Sequence, residues 1–258
     1  MKQPYTIPEG RYPFVLSGGG ARGYAHLGVL KAFEERNIFP EAIAATSSGS
    51  IIAAFICDGY SADEAYAIAR QNKMELSMQL KNWPAGIMSL KSVEDLLKRY
   101  LRSTTFEQMR LPFHITATNF QNGQRAVFSK GPVIPAILAA SSIPILLPPV
   151  EIEGIPYVDG GLSGNLPVEP LLPDYEQIIG VHVNPIAPWN AAAGIRANVE
   201  RTLNMAINAP VAASAGLCTW YIEPRALLEY RVFDFKKFEA IYNIGLEYTR
   251  GLLQTAPV

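Results

Sequence analysis

The sequence predicts an α/β fold with a largely parallel central sheet and helices on both faces. Three observations predict it. Short apolar runs alternate with helix-length stretches along most of the chain. Two of the strand-to-helix turns are built of small residues, Gly18-Gly19-Gly20 and Ser47-Ser48-Gly49. The 258 residues are 49% hydrophobic and only 17% charged, enough for one large core with no compositional break, so 1–258 are expected to form a single domain.

Taken in order, Pro13 to Ser17 reads as the first strand, and the glycine-rich turn after it opens a helix from about Tyr24 to Arg36, with apolar spacing at Leu27, Leu30 and Phe33. Ala42 to Ala45 is the second strand, and Ile51 to Ile56 continues a helix that stops at Gly59. Ser61 with Glu64, and Ser92 with Asp95, have the spacing of capping boxes for helices to about Asn72 and from Val93 to Leu101. Between them Met74 to Leu90 is apolar without a clean period, and reads equally as a lid, an acyl-chain surface or ordinary core. Further strands are expected at Phe113 to Thr118, Ala126 to Ser129, Val150 to Ile152, Pro156 to Val158 and Ile178 to Val183, with a C-terminal helical part over about 196–253 closing in a helix from Phe235 to Leu253.

Composition excludes several classes. A net charge of −1 gives no basic face for nucleic acid and little attraction to anionic surfaces. Cys57 and Cys218 are too few for a disulfide framework or a four-ligand zinc site, and no metal or cofactor is expected. Pro132 to Val150 lacks charge, but Pro135, Pro144, Pro148 and Pro149 interrupt it, so a buried helix from Val133 to Ala140 and an irregular apolar wall are expected rather than a membrane span. Met1 to Gly10 has no apolar signal core, and the expected location is cytoplasmic.

Three motifs carry chemistry. Ser47 stands between a strand and a helix with Ala45 and Gly49 two positions to either side, the layout of a nucleophile elbow; the bland alternative is a serine-rich helix cap. Ala45 replaces the more usual glycine by one methyl group. The turn Gly18-Gly19-Gly20-Ala21-Arg22-Gly23 converges backbone amides on one point and also fits the dinucleotide fingerprint G-x-G-x-x-G. That fold wants an acid at the end of the second strand, where this chain has Ser47 while Glu41 precedes the strand, so an oxyanion hole accounts for both turns and a cofactor site for one. Asp159, at a strand end and followed by Gly160-Gly161, is the candidate base; its bland alternative is an Asp-Gly turn.

These three motifs, in this order, resemble the patatin-like phospholipase family. The resemblance extends to His26-Leu27-Gly28-Val29-Leu30, Ala139-Ala140-Ser141-Ser142-Ile143-Pro144 and Asn165-Leu166-Pro167-Val168, and covers roughly Phe14 to Val183. It implies a three-layer α/β/α sandwich and lipid acyl hydrolysis by a Ser–Asp dyad without a metal or a third residue. Carried over, Ser47 is the nucleophile, Asp159 the general base, and Gly18, Gly19 and Gly20 the oxyanion amides. Arg22 sits where related enzymes place an arginine near substrate phosphate, although it can equally tie the turn to a nearby acceptor. Ser163-Gly164 departs from the polar residue more usual there.

The resemblance implies a lipid ester as partner, with transient contact at a membrane surface. A transacylase, a short-chain esterase, a catalytically silent scaffold and a dinucleotide module are the rival readings. His26, inside the first helix, reads as packing or as a backbone hydrogen bond, and His114 as an alternating exposed or satisfied strand position. His182, near a strand's C-terminal end, is the histidine placed to assist, but the expectation is that none is essential.

Overall fold

The computed structural model describes residues 5–72, 90–186 and 194–253. Its strands are β1 (Gly10–Leu16), β2 (Ile38–Ala45), β3 (Phe113–Asn119), β4 (Arg125–Phe128), β5 (Val150–Ile152), β6 (Ile155–Asp159), β7 (Ile179–Val181) and β8 (Trp220–Ile222). The helices are α1 (Tyr24–Glu34), α2 (Ser47–Cys57), α3 (Ala62–Gln71), α4 (Lys91–Tyr100), α5 (Val133–Ala140), α6 (Gly161–Gly164), α7 (Ile195–Asn208), α8 (Val211–Gly216) and α9 (Phe238–Leu252). The sheet runs β5-β6-β3-β2-β1-β7-β8, with β4 also paired to β3. Its centre is parallel (β3-β2-β1-β7-β8), and β4, β5 and β6 add antiparallel pairs on one side.

The two central strands are apolar without strict alternation because both of their faces are covered. Phe14 and Leu16 of β1, with Ile43 and Ala45 of β2, enter a core shared with α1, α2 and α9. Val15, Ala42 and Ala44 turn to the opposite face and pack with Leu166, Val168, Ile178 and Val211. Burial of each large side chain contributes about 1.5–3 kcal/mol relative to exposure. The result is a sandwich of sheet between helical layers, the architecture expected from the sequence.

Helices α1 and α9 touch backbone to backbone. A Cβ on Gly28 would stand 2.1 Å from the Tyr242 carbonyl oxygen, and one on Gly245 would stand 2.2 Å from that of Ala25. Glycine is required here by close approach. Gly28→Ala is therefore expected to destabilise the fold by about 1–3 kcal/mol through overpacking, seen as a lower urea midpoint with an unchanged m-value.

Local signals held where packing agreed with them. Ser61 and Glu64 form the expected capping box, with Glu64 N donating to Ser61 Oγ (3.2 Å) and Ser61 N to Glu64 Oε2 (2.8 Å). Ser92 does not cap: α4 already begins at Lys91, because Val93, Leu96 and Leu97 are anchored in the core and Leu90 packs against it. The short strand β8 lacks a periodic signal and exists through its parallel pairing with β7. The expected lid or acyl surface from Met74 to Leu90 lies outside the described residues, apart from Leu90. Among the described residues no helix is long and apolar enough to cross a membrane.

Register brings the three motifs to one level. Leu16 pairs Ala45 and Ala45 pairs Ile115, so the glycine turn and the elbow leave the sheet at one level, with the place of a Gly18 Cβ 2.9 Å from Ser47 Cβ and Thr46 Oγ1 bonded to the Thr116 carbonyl. Strand β6 runs antiparallel to β3 with Asp159 opposite Ala117. Its carboxylate therefore comes down to the level that Ser47 reaches from the opposite direction.

Candidate active site

Ser47 follows an extended Thr46 (φ −141°) and itself adopts φ +49°, a left-handed conformation that side chains rarely take. Its surroundings over-determine that strain. Thr46 Oγ1 donates to the Thr116 carbonyl (2.8 Å), and Ser50 Oγ donates to the Ser47 carbonyl (2.6 Å). A Cβ on Gly49 would lie 2.6 Å from the carbonyl oxygens of both Leu16 and Ser17, so only glycine lets α2 start over the end of β1. The Ala45 methyl, which departs from the usual elbow, is absorbed in the core.

The nucleophile candidate has a partner already in place. Ser47 Oγ donates to Asp159 Oδ2 (2.7 Å), while Asp159 Oδ1 accepts from the Gly161 amide (2.8 Å). The carboxylate's backbone is fixed by its own N–H on the Ser142 carbonyl (2.9 Å) and by Thr118 Oγ1 donating to its carbonyl (3.0 Å). Gly160 fits between neighbouring strands, since a Cβ there would meet the Thr116 carbonyl oxygen at 2.0 Å and Thr46 Oγ1 at 2.4 Å. Burial pushes the Asp159 carboxyl up to about 6 from 3.8, against the lowering effect of its bonds from Ser47 and Gly161. The Asp-Gly-Gly run is thus more than a surface turn.

The glycine turn lies beside this pair, and a Cβ on Gly18 would stand 2.9 Å from Ser47 Cβ. Gly20 takes φ +57° and packs under the Val232 carbonyl, to which Ala21 N donates (2.7 Å). The three amides are not equivalent. Gly18 N donates to Asn165, to its side-chain Oδ1 (3.1 Å) and its carbonyl (3.3 Å), whereas among the described residues the Gly19 and Gly20 amides donate to no protein acceptor. Of the three amides expected to line an oxyanion hole, that of Gly18 is thus engaged by Asn165 in this structure.

Comparison with known proteins decides the family. The family model for patatin-like phospholipases matches residues 14–172. The chain belongs to the patatin-like phospholipase family. It is 31% identical over 164 residues to an uncharacterised NTE family protein of Mycobacterium bovis, covering 62% of this chain and 45% of that protein. It is also 28% identical over 275 residues to the lysophospholipase NTE1 of Saccharomyces cerevisiae, covering 93% of this chain and 16% of that protein. The chain thus spans less than half the length of these relatives. Among solved structures, VipD from Legionella pneumophila shares the fold with a TM-score of 0.52 at 14% identity, over 96% of this chain and 67% of that one.

In this patatin-like protein Arg22 is a tether. Its guanidinium is buried, with Nε donating to the Tyr230 carbonyl (2.8 Å) and Nη1 to Asn184 Oδ1 (2.6 Å) and the Pro185 carbonyl (3.3 Å). These bonds pin the glycine turn to the loops after β7 and before α9, the tethering role weighed for it beside a contact with substrate phosphate. Sequence spacing held no signal for those partners, which lie more than 160 residues away.

The histidines stand apart from the Ser–Asp pair. His26 Nε2 lies 2.8 Å from the Ser17 carbonyl, and burial lowers its pKa to about 4, so the neutral ring donates to that carbonyl and braces the strand end. His114 is half-buried on β3, and burial lowers its pKa too. His182 Nε2 meets Asn208 Oδ1 (2.8 Å), and its Nδ1 is 3.1 Å from Glu223 Oε1 and 3.0 Å from the Tyr221 hydroxyl. That bond holds the Glu223 carboxyl below its usual range. His182→Ala is expected to cost about 1–3 kcal/mol of stability through its lost bonds to Asn208 and Glu223, the carboxylate keeping the Tyr221 hydroxyl and Arg225, yet to keep esterase activity within about tenfold; a folded variant inactive by several orders of magnitude would contradict this.

An apolar cleft opens beside Ser47, lined by Gly20, Tyr24, Ile51, Val93, Ile143 and Phe235. The apolar wall expected from Ile143 to Val150 contributes only its first residue to this lining, because Leu147 is buried and Ile145 is 77% exposed. Among the described residues no group of three or more His, Cys, Asp or Glu is disposed to hold a metal ion.

Proposed function

We propose that this protein is a serine acyl hydrolase that cleaves lipid esters, of the lysophospholipid or phospholipid class, through a Ser47–Asp159 dyad and an acyl-enzyme. The observation that carries it is the 2.7 Å hydrogen bond from a left-handed serine at a strand–helix turn to a buried carboxylate of raised pKa. The apolar cleft suits an acyl chain, and a relative spanning nearly the whole chain bears the name lysophospholipase.

In this reading Asp159 Oδ2 takes the Ser47 proton as Oγ bonds to the ester carbonyl carbon, and the carbonyl π electrons move onto oxygen. The Gly19 and Gly20 amides hold that oxyanion. As it collapses, the ester C–O bond breaks and the leaving alcohol takes the proton from Asp159. Water, deprotonated by the same carboxylate, then attacks the acyl-enzyme and releases the acid with Ser47 restored. A carboxyl titrating near 6 is still a weak base, so the oxyanion donors carry much of the barrier; losing one typically costs about 2.7–4 kcal/mol in established hydrolases.

The direct test supplies vesicles or micelles of a 1-acyl lysophospholipid and measures released fatty acid by mass spectrometry. The natural protein should release it and Ser47→Ala should not; equal release by both would sink the proposal. Because the base acts as the carboxylate, kcat/KM should rise about tenfold per pH unit on the acid side and level off near pH 6. A plateau extending down to pH 4 would mean that Asp159 is not the base.

A further inference from the structure

We infer that Asn165 is the residue that positions the oxyanion hole, an inference that rests on the function proposed above. Asn165 follows α6 and is 1% exposed. It offers two acceptors to one amide, its side-chain oxygen and its own carbonyl both facing Gly18 N. Both hold that N–H on Asn165. The next two amides, Gly19 and Gly20, remain available in a turn whose other end is held by Arg22 and by Ala21 N on Val232.

The same oxygen sits where all three motifs meet. It is 2.6 Å from the place a Gly18 Cβ would occupy, beside Ser47 Cβ at 2.9 Å from that point. It is 3.2 Å from the place of a Gly161 Cβ, beside Asp159 Oδ1 at 3.0 Å from that point. One side-chain atom therefore spaces the glycine turn, the nucleophile and the base turn from one another. The other half of the amide has a cost: Asn165 Nδ2 is buried and has no partner among the described residues. An unmatched buried donor is unfavourable, so packing alone would favour an apolar residue here. Keeping the acceptor on Gly18 is what the asparagine contributes, and it acts through the turn rather than on the substrate.

The test measures kcat and KM on a short-chain p-nitrophenyl ester, with inhibition by a trifluoromethyl ketone that forms a tetrahedral adduct, for the natural protein and Asn165→Ala. The expected result is a kcat lower by about 10- to 100-fold, a KM within about threefold, and adduct affinity weakened in parallel with kcat. A merely structural asparagine would lower the melting temperature and leave kcat and adduct affinity alone, and that result overturns the inference. If Asn165→Ala does not fold, Asn165→Asp carries the test. It keeps an oxygen on the Gly18 amide but sets a second carboxylate near Asp159, so the acid limb of the rate profile should move to higher pH; an unmoved limb would place the residue out of reach of the reacting groups. A natural protein without esterase activity overturns the proposed function itself, whereas an active one indifferent to Asn165→Ala overturns only this inference.

Discussion

Asp159→Asn is expected to cut turnover by orders of magnitude while making the protein more stable at neutral pH. The two effects have one cause. The proposed base must carry a charge beside Ser47, and burial of the carboxylate opposes that charge. The folded group takes up its proton near pH 6 and the unfolded one near the ordinary 3.8. Below the lower value both states are protonated and the shift costs nothing. Between the two values the folded state holds the extra proton, and above about 6 both states are ionised, so the folded state bears the full penalty. A shift of about two units corresponds to about 3 kcal/mol. Asparagine keeps an acceptor for Gly161 N and can donate to Ser47 Oγ without the charge. The variant should thus gain up to about 3 kcal/mol at pH 8, with the gain vanishing towards pH 4, while kcat falls by about 10²–10⁴-fold or more. Urea melts at the two pH values, beside the rate, check both halves; a variant that is destabilised at pH 8 would mean that the carboxylate holds the turn together rather than straining it.

Gly160→Ala should be nearly as damaging to activity although it changes no reacting group. Its Cβ would meet the Thr116 carbonyl oxygen on β3 at 2.0 Å and Oγ1 of Thr46, the residue before Ser47, at 2.4 Å, two groups hydrogen-bonded to each other. The adjoining strand end has to move, and with it the neighbouring Asp159. Displacing a catalytic group by about 1 Å costs about 10²-fold in rate, and the overpacking adds about 1–3 kcal/mol of destabilisation. Steady-state rates with a thermal melt separate the two. Gly123→Ala is the control, since nothing lies within 4 Å of a Cβ there, although its φ of +72° adds a small local strain; equal activity losses in both variants would contradict the steric account.

What was legible in the sequence follows the range of the interactions concerned. Strand and helix alternation is local, and so is the Ser61–Glu64 cap, and both were readable. The elbow and the Asp-Gly-Gly turn were readable because their chemistry needs small residues at fixed spacing around one functional group. Packing overrode the local signal at Ser92, where the apolar stripe of Val93, Leu96 and Leu97 sets the start of α4 earlier than the cap spacing implies. The partners of the glycine turn were hidden for another reason. Gly18 meets Asn165 across 147 residues, and Arg22 meets Tyr230 across 208, so no spacing rule could show that one amide is occupied and the arginine committed to carbonyls. The register that levels Ser47 with Asp159 likewise depends on β6 running antiparallel, which its five residues do not announce.

The proposed function stands on Ser47 as a nucleophile activated by Asp159. Labelling with a fluorophosphonate, mapped by peptide mass on the natural protein, Ser47→Ala and Asp159→Asn, tests it most directly. A single adduct is expected on the peptide carrying Ser47, absent in Ser47→Ala and formed far more slowly in Asp159→Asn. An adduct that persists in Ser47→Ala, or a natural protein that is folded and takes no label, would contradict it.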